Sequence, residues 1–157
     1  MFDFFLISLV SALVIGMTSL LAYEVLRIVW HFLPELTIRP HLRVLVILGP
    51  IFLIHIAGIW IYALTDLLVE NWTTVGTVTG QNHAIGLNIE SFMDCLYFSA
   101  VLYTSLGFGD LTPTEHMRML AGAEVLNGLV LIAWTASFTY LAMEKFWTLP
   151  HSSKHKN

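Results

Sequence analysis

The stretch that decides the fold runs from Thr104 to Asp110 and reads Thr-Ser-Leu-Gly-Phe-Gly-Asp. Its two glycines flank one aromatic residue, and glycine adopts left-handed backbone conformations that other residues resist. Successive carbonyl groups of such a segment can turn to the same side, where rings of oxygens replace the hydration shell of a cation. The segment is therefore a candidate cation-coordinating site.

The composition around this segment indicates a membrane protein. Of 157 residues, 57% are hydrophobic and 11% are charged, with a mean hydropathy of +0.75, which exceeds what a soluble domain of this size needs. The chain leaves no room for a pore module plus a sizeable soluble domain, so we expect one domain. The net charge of −4 argues against a nucleic-acid partner, and the single Cys95 excludes an intrachain disulfide partner.

The first membrane helix is predicted within residues 1–33. Phe4 to Tyr23 carries no formal charge, and about 20 apolar residues cross about 30 Å of hydrocarbon. A signal peptide is the alternative, but the start Met1-Phe2-Asp3 lacks a basic region and no small-residue cleavage site follows.

Apolar stretches, and the helix-breaking residues between them, divide the rest of the chain into segments. A second membrane helix has its apolar core at Val44 to Ala63, and a Thr- and Gly-rich loop after it has room for a short hairpin. The predicted boundaries are a cytoplasmic linker 34–43, an outer helix 44–70, an extracellular loop 71–89, a re-entrant helix with the Gly-Phe-Gly segment 90–116, an inner helix 117–146 and a cytoplasmic tail 147–157.

The apolar stretch from Glu90 to Tyr103 is too short to cross the membrane. It covers about 21 Å at about 1.5 Å per residue, so we expect it to enter the bilayer and turn back. Glu90 and Asp94 complement the positive end of this helix, and its negative C-terminal end favours a cation below the Gly-Phe-Gly segment. Bare backbone at this depth is tolerated only where protein or water surrounds it.

The charge distribution predicts the orientation in the membrane. By the positive-inside rule the linker and C-terminus are cytoplasmic, and the N-terminus and the Gly-Phe-Gly mouth are outside. The basic residues on the predicted cytoplasmic side are Arg27, Arg39, Arg43, Lys145, Lys154 and Lys156, against Arg118 on the other. The acids on the outer side either concentrate cations at the mouth or form an ordinary solvated loop surface: Asp3, Glu70, Glu90, Asp94, Asp110 and Glu115.

Residues 90–146 resemble the pore helix, selectivity filter and inner helix of tetrameric potassium channels. A short amphipathic helix, Thr-Ser-Leu-Gly-Phe-Gly-Asp, a proline three residues later and a glycine-bearing helix occur in the family's order. The resemblance implies an all-α membrane protein with three transmembrane helices, a re-entrant pore helix and a filter strand. One filter per chain and no internal repeat imply a homotetramer in the lipid bilayer that conducts K⁺ passively.

The resemblance also implies roles for the filter segment, which is residues 104–110. The carbonyls of four residues would bind K⁺, namely Ser105, Leu106, Gly107 and Phe108; Thr104 would lie just below them, and Gly109 and Asp110 would end the filter. The commonest family pattern is Thr-Val-Gly-Tyr-Gly-Asp, so the chain departs from it at Ser105, Leu106 and Phe108. Phe108 lacks the hydroxyl that ties the filter to the pore helix, and a weakly selective monovalent cation pore is therefore the alternative.

Two residues are candidates for filter support. Tyr97 stands where the family often has an aromatic donor, and it either hydrogen-bonds Asp110 or simply packs. Glu124 lies in a membrane helix, where an acid costs several kcal/mol unless it is neutral, paired or facing water. It either braces the back of the filter, pairs with Arg118, faces the cavity as an ion site, or is a protonated structural acid.

The inner helix carries candidate gating residues. Gly128 falls where the resemblance places a hinge, with small-residue packing as the alternative. Ile132, Ala136 and Tyr140 follow at intervals of four as a candidate cavity stripe, with Tyr140 as the constriction. His55, alone in mid-span, is interpreted as a hydrogen-bonded packing residue rather than a proton sensor.

Other classes of function have less support. The sequence shows no nucleophile–base pair, phosphate-binding loop, metal-ligand spacing or cofactor motif, so we expect no enzyme and no cofactor. An intramembrane enzyme or a non-conducting accessory protein would leave the Gly-Phe-Gly segment without a purpose.

Overall fold

The structure, a computed structural model, describes residues 1–33, 40–80 and 85–147, with the side chains of 40–43 and 146–147 left out of the description. Its elements in chain order are α1 (Phe2–Phe32), α2 (Pro40–Trp72), β1 (Val78–Gly80), α3 (Ile89–Tyr103), β2 (Leu111–Pro113) and α4 (Met117–Trp147).

Within the described residues, three of the four helices are long and apolar enough to cross a membrane. Their apolar parts are Phe2–Phe32, Val44–Trp72 and Met117–Lys145, and 18-residue stretches within them have mean hydropathies of 2.3, 2.5 and 1.6. The fourth, α3, has 15 residues, about 22 Å at about 1.5 Å per residue, and is too short to cross. The predicted all-α membrane architecture is confirmed, and the chain is a multi-pass membrane protein.

The second helix differs most from its predicted boundaries. It begins at Pro40, because the proline ring fixes a helical φ and needs no hydrogen-bond partner in the first turn. It continues through Asp66 and Glu70 to Trp72, because both acids are buried at 1% and 6% exposure instead of ending the helix in water. The predicted linker 34–43 is therefore wrong at its end and the loop 71–89 at its start. Residues 34–39, 81–84 and 148–157, which hold most of the linker and tail predictions, lie outside the described residues.

The loop before α3 pairs with the segment after the filter, where the sequence allowed a hairpin within the loop. Strands β1 and β2 are antiparallel, with Val78 opposite Pro113 and Gly80 opposite Leu111. The hydroxyl of Thr114 donates to the carbonyl of Thr77 at 3.0 Å and extends this pairing. The segment that follows the filter segment is thus hydrogen-bonded to the segment that precedes α3.

Helix α3 packs between α2 and α4. The side chain of Asn88 caps its start by accepting a hydrogen bond from the Ser91 amide at 2.8 Å. Its last residue, Tyr103, is 1% exposed and lies in space between one glycine of α2 and one glycine of α4. A Cβ at Gly58 of α2 would lie 3.1 Å from the Tyr103 ring, and a Cβ at Gly128 of α4 would overlap the Tyr103 carbonyl oxygen.

Helix α1 packs against α4 and α2. The ring of Phe4 contacts that of His116 near the start of α4, and Lys145 near its end lies 4.5 Å from the Trp30 ring centroid, so α1 and α4 run parallel. Midway, the buried Asn127 amide donates to Thr18 at 2.7 Å and to Tyr62 at 3.1 Å. One amide therefore joins the three membrane helices.

The contact at Gly128 yields the first prediction. Gly128→Ala should destabilise the purified protein by about 1–3 kcal/mol, because overpacking forces α3 and α4 apart. Gly122→Ala is the matched control on the same helix, since a Cβ there meets nothing within 4 Å; alanine should stabilise it by up to about 1 kcal/mol. Thermal unfolding in lipid nanodiscs measures both, and equal shifts for the two variants would contradict the close contact.

A second prediction concerns the attachment of α1. Asn127→Leu and Thr18→Val should each lower the unfolding free energy in mixed micelles, and the two losses should not add, because both variants remove the same hydrogen bond. The expected coupling is about 0.6 kcal/mol, the average for such bonds in membranes. Additive losses would show that the two side chains do not interact.

Candidate functional site

Residues with positive φ alternate with residues without it along the backbone of the filter segment. Ser105, Gly107 and Gly109 have φ of 59°, 57° and 78°, whereas Leu106 and Phe108 between them do not have positive φ. Alternation of this kind turns successive carbonyl groups to the same side of the chain. Two of the three left-handed positions are glycine, the residue for which this conformation is not strained.

The filter segment is an extension of α3. The amides of Ser105 and Leu106 donate to the carbonyls of Leu102 and Val101 at 2.8 and 2.9 Å. The hydroxyl of Thr104 donates to the carbonyl of Ala100 at 2.7 Å. The first carbonyls of the segment therefore start from a position fixed by the helix.

All seven residues of the filter segment are exposed in a single chain. The exposed fractions reach 61% for Leu106 and 66% for Phe108. An irregular backbone with large apolar side chains does not persist in lipid without protein or water around it. One chain alone does not surround an ion.

The outer end of the filter segment is held by a hydrogen bond to α3. The Tyr97 hydroxyl donates to Asp110 Oδ2 at 2.7 Å, and Tyr97 is 41% exposed, so it bonds Asp110 and is not an aromatic packed in a core. This hydrogen bond lowers the pKa of Asp110, and it raises the pKa of Tyr97. Asp94 and Gly109 line the same cleft, of about 890 Å³.

A series of side-chain hydrogen bonds supports the base of the filter segment, and the sequence did not predict it. His55 of α2 hydrogen-bonds the Tyr103 hydroxyl through Nδ1 and the Thr135 hydroxyl through Nε2, both at 3.1 Å. The interpretation of His55 as a packing residue agrees with these two bonds. Its polarity in mid-span, and the position of Tyr103 one residue before the filter segment, were the available signals.

A groove of about 640 Å³ lies below α3, between α2 and α4. Its lining brings together Thr104 of the filter segment and two residues of the predicted cavity stripe, Ile132 and Ala136, with Phe52 and Ile56 of α2. Tyr140 is 68% exposed and does not line this groove. The assignment of Tyr140 as a constriction stays a prediction.

Glu124 lies behind α3 and is fully buried. Its Oε1 atom hydrogen-bonds the Ser99 hydroxyl of α3, which is the arrangement expected of a brace. The alternative pairing with Arg118 is wrong, since Arg118 is exposed and its Nε donates to the carbonyl of Pro113 at 3.2 Å. Gly128, one turn along, packs against Tyr103 within the continuous helix α4, which supports the packing alternative; the hinge stays a prediction.

The acidic surface at the mouth is smaller than predicted. Glu70 is 6% exposed, so including it among the solvated acids was wrong. Glu90, Asp110 and Glu115 are exposed. Within residues 1–33, 40–80 and 85–147, no three His, Cys, Asp or Glu residues are grouped to hold a metal ion.

The chain is similar to known ion channels. The family described as "Ion channel" matches residues 50–145. A similar curated protein is "Two pore potassium channel b" of Oryza sativa subsp. japonica, 31% identical over 75 residues, which are 45% of this chain and 22% of that protein. The chain thus matches less than a quarter of that relative's length. No solved structure matches the chain.

The family match begins inside α2 and takes in α3, the filter segment and most of α4. These are the elements that hold the Tyr103 contact, the alternating backbone and the groove below them. The potassium-channel resemblance of residues 90–146 is thereby confirmed, and the chain belongs to the ion channel family.

Proposed function

We propose that the protein is a potassium-selective channel that conducts K⁺ passively through a filter made by four copies of residues 104–110. The observation that carries this proposal is the alternating backbone at Ser105, Gly107 and Gly109, which directly follows the short helix α3. The carbonyls of Ser105, Leu106, Gly107 and Phe108 are the proposed K⁺ ligands. The potassium channel named among the similar proteins supports the choice of ion.

The proposed mechanism uses the two ends of α3. K⁺ loses its water at the outer mouth, where Asp110 is held ionised by Tyr97, and moves in single file between carbonyl rings by mutual displacement. It regains water below Thr104, where the negative end of the α3 dipole stabilises it. The electrochemical gradient drives the flux, and no cofactor takes part.

A homotetramer is part of this proposal. Each chain supplies one filter segment, and four are needed to close an oxygen ring. The apolar side chains of Leu106 and Phe108 need neighbours that a single chain does not supply. The proposed orientation places the N-terminus and filter mouth outside the cell membrane and the C-terminus in the cytoplasm, with Gly128, Ile132, Ala136 and Tyr140 as hinge and cavity residues.

A weakly selective cation channel is the second candidate. The observation that favours it is Phe108, which has no hydroxyl to bond to α3, so that Tyr97 and Asp110 supply the outer attachment described above. A filter with fewer ties adapts more readily to an ion of another size.

Flux into liposomes containing the purified protein tests both candidates. We expect K⁺ flux that falls at least about tenfold in Na⁺ and is lost in Gly109→Ala, because alanine resists a φ of 78°. Gly16→Ala on α1 is the control, since a Cβ there meets nothing within 4 Å.

The outcomes separate the candidates. Equal K⁺ and Na⁺ flux, lost in Gly109→Ala, would replace the proposal by the weakly selective channel. Flux that survives Gly109→Ala with the assembly intact would overturn the filter assignment for both.

A pH prediction follows from the Tyr97–Asp110 hydrogen bond. Because this bond lowers the pKa of Asp110, the carboxylate stays charged, and its stabilising bond persists, until the pH falls below the ordinary aspartate range. Tyr97→Phe should raise that pKa, so that acid on the mouth side inhibits K⁺ flux at a higher pH than in the wild type. Tyr23→Phe, a change to an exposed tyrosine on α1, should leave the inhibition curve unchanged; identical curves for wild type and Tyr97→Phe would contradict the role of this bond.

A further inference from the structure

The hydroxyl of Ser99 lies at the meeting point of three helices. Its Oγ is 2.9 Å from the carbonyl oxygen of Ile59 in α2 and 2.5 Å from Oε1 of Glu124 in α4. Ser99 and Glu124 are both 0% exposed. The two contacts are therefore closed off from bulk solvent.

A count of hydrogens limits the protonation state of this group. A serine hydroxyl has one hydrogen to donate, a backbone carbonyl has none, and an ionised carboxylate has none. If Glu124 were ionised, Ser99 would have to use its single hydrogen for two acceptors that lie on different helices. If Glu124 carries a proton on Oε1, that proton goes to Ser99, the Ser99 hydrogen goes to Ile59, and both contacts are hydrogen bonds.

The surroundings of the carboxyl favour the neutral form as well. The second oxygen, Oε2, has no hydrogen-bond partner among the described residues, and an ionised carboxylate buried in that way is costly. The ionisable groups that face Glu124 are Asp66 and Tyr62 of α2 and Tyr103 of α3. An ionised Asp66 would repel a second negative charge, and Arg118 is bonded elsewhere.

We propose that Glu124 is a protonated carboxylic acid that donates a hydrogen bond to Ser99, which donates in turn to Ile59, and so positions α3 against α2 and α4. The contact between Ser99 and Glu124 lies one helical turn from the contact between Tyr103 and Gly128. Ser99 and Tyr103 are one turn apart on α3, and their partners Glu124 and Gly128 are one turn apart on α4. The polar contact and the glycine contact thus fix the same pair of helices at successive turns, directly behind the filter segment. This inference does not require that the channel conducts.

Infrared spectroscopy of the assembled protein in lipid at neutral pH tests the proposal without measuring flux. In the wild type we expect a carbonyl stretching band of a protonated carboxylic acid, and this band should shift in D₂O. The band should be lost or reduced in Glu124→Gln. The part of the band that comes from Glu124 should remain in Asp66→Asn. Glutamine keeps a donor on the side chain, so Glu124→Gln should still assemble, as size-exclusion chromatography checks. A wild type without the band, or a band unchanged in Glu124→Gln, would overturn the proposal.

Two further readouts keep the test independent of one variant. Carbon-13 labelling of the glutamate side-chain carboxyls in the wild type should move the band, and a band that moves only on aspartate labelling would assign the proton to Asp66 and overturn the proposal. Raising the pH should lower the thermal midpoint of the wild type more than that of Glu124→Gln, because a proton required by the fold is lost as the pH rises. Equal pH dependence would count against a structural proton on Glu124.

Discussion

The rest of the structure depends on the fit of Tyr103 between two glycines. Gly58 and Gly128 lack the atoms that would collide with its ring and its carbonyl group, so the last residue of α3 lies against α2 and α4 at once. The filter segment begins at the next residue. The depth and direction of the proposed carbonyl rings are therefore set by how closely two membrane helices approach one tyrosine, and the Tyr103 hydroxyl is satisfied there by His55.

Polar contacts supply the register that apolar packing does not. In lipid, hydrophobic side chains gain little by facing another helix, so close packing and interhelical hydrogen bonds decide how helices associate. Behind the filter segment, His55 bonds to Tyr103 and Thr135, and Asn127 bonds to Thr18 and Tyr62. Each of these bonds joins different helices and is lost if one helix slides by a turn. Polar networks of this kind stabilise one arrangement when all members are satisfied.

The sequence predicted those features that arise within short stretches of chain. The start of α3 was placed at Glu90 and lies at Ile89, and α4 begins at Met117 as expected, because apolar length and flanking polar residues define both. The end of α2 was placed at residue 70 and lies at Trp72, since an acid was expected to end the helix, whereas Asp66 and Glu70 are both buried. The β1–β2 pairing and the partners of Tyr103 join residues far apart in sequence, and no local pattern specifies them. For Tyr97 and Glu124 the residue types raised the right alternatives, but only the geometry distinguishes between them.

The hydroxyl groups of α1 have a consequence for how the protein is made. Ser11 and Thr18 donate to carbonyls of their own helix, those of Ile7 and Val14, at 2.8 Å, so neither hydrogen needs another helix. Helix α1 precedes α4 in the sequence and is therefore synthesised first. Because the hydroxyl hydrogens of Ser11 and Thr18 are already bonded within the helix, α1 can insert into the bilayer before another helix packs against it. The Thr18 oxygen still has a lone pair available, and it accepts the Asn127 hydrogen bond once α4 has been inserted, so the contact between α1 and α4 forms after α1 has satisfied its own hydroxyl hydrogens.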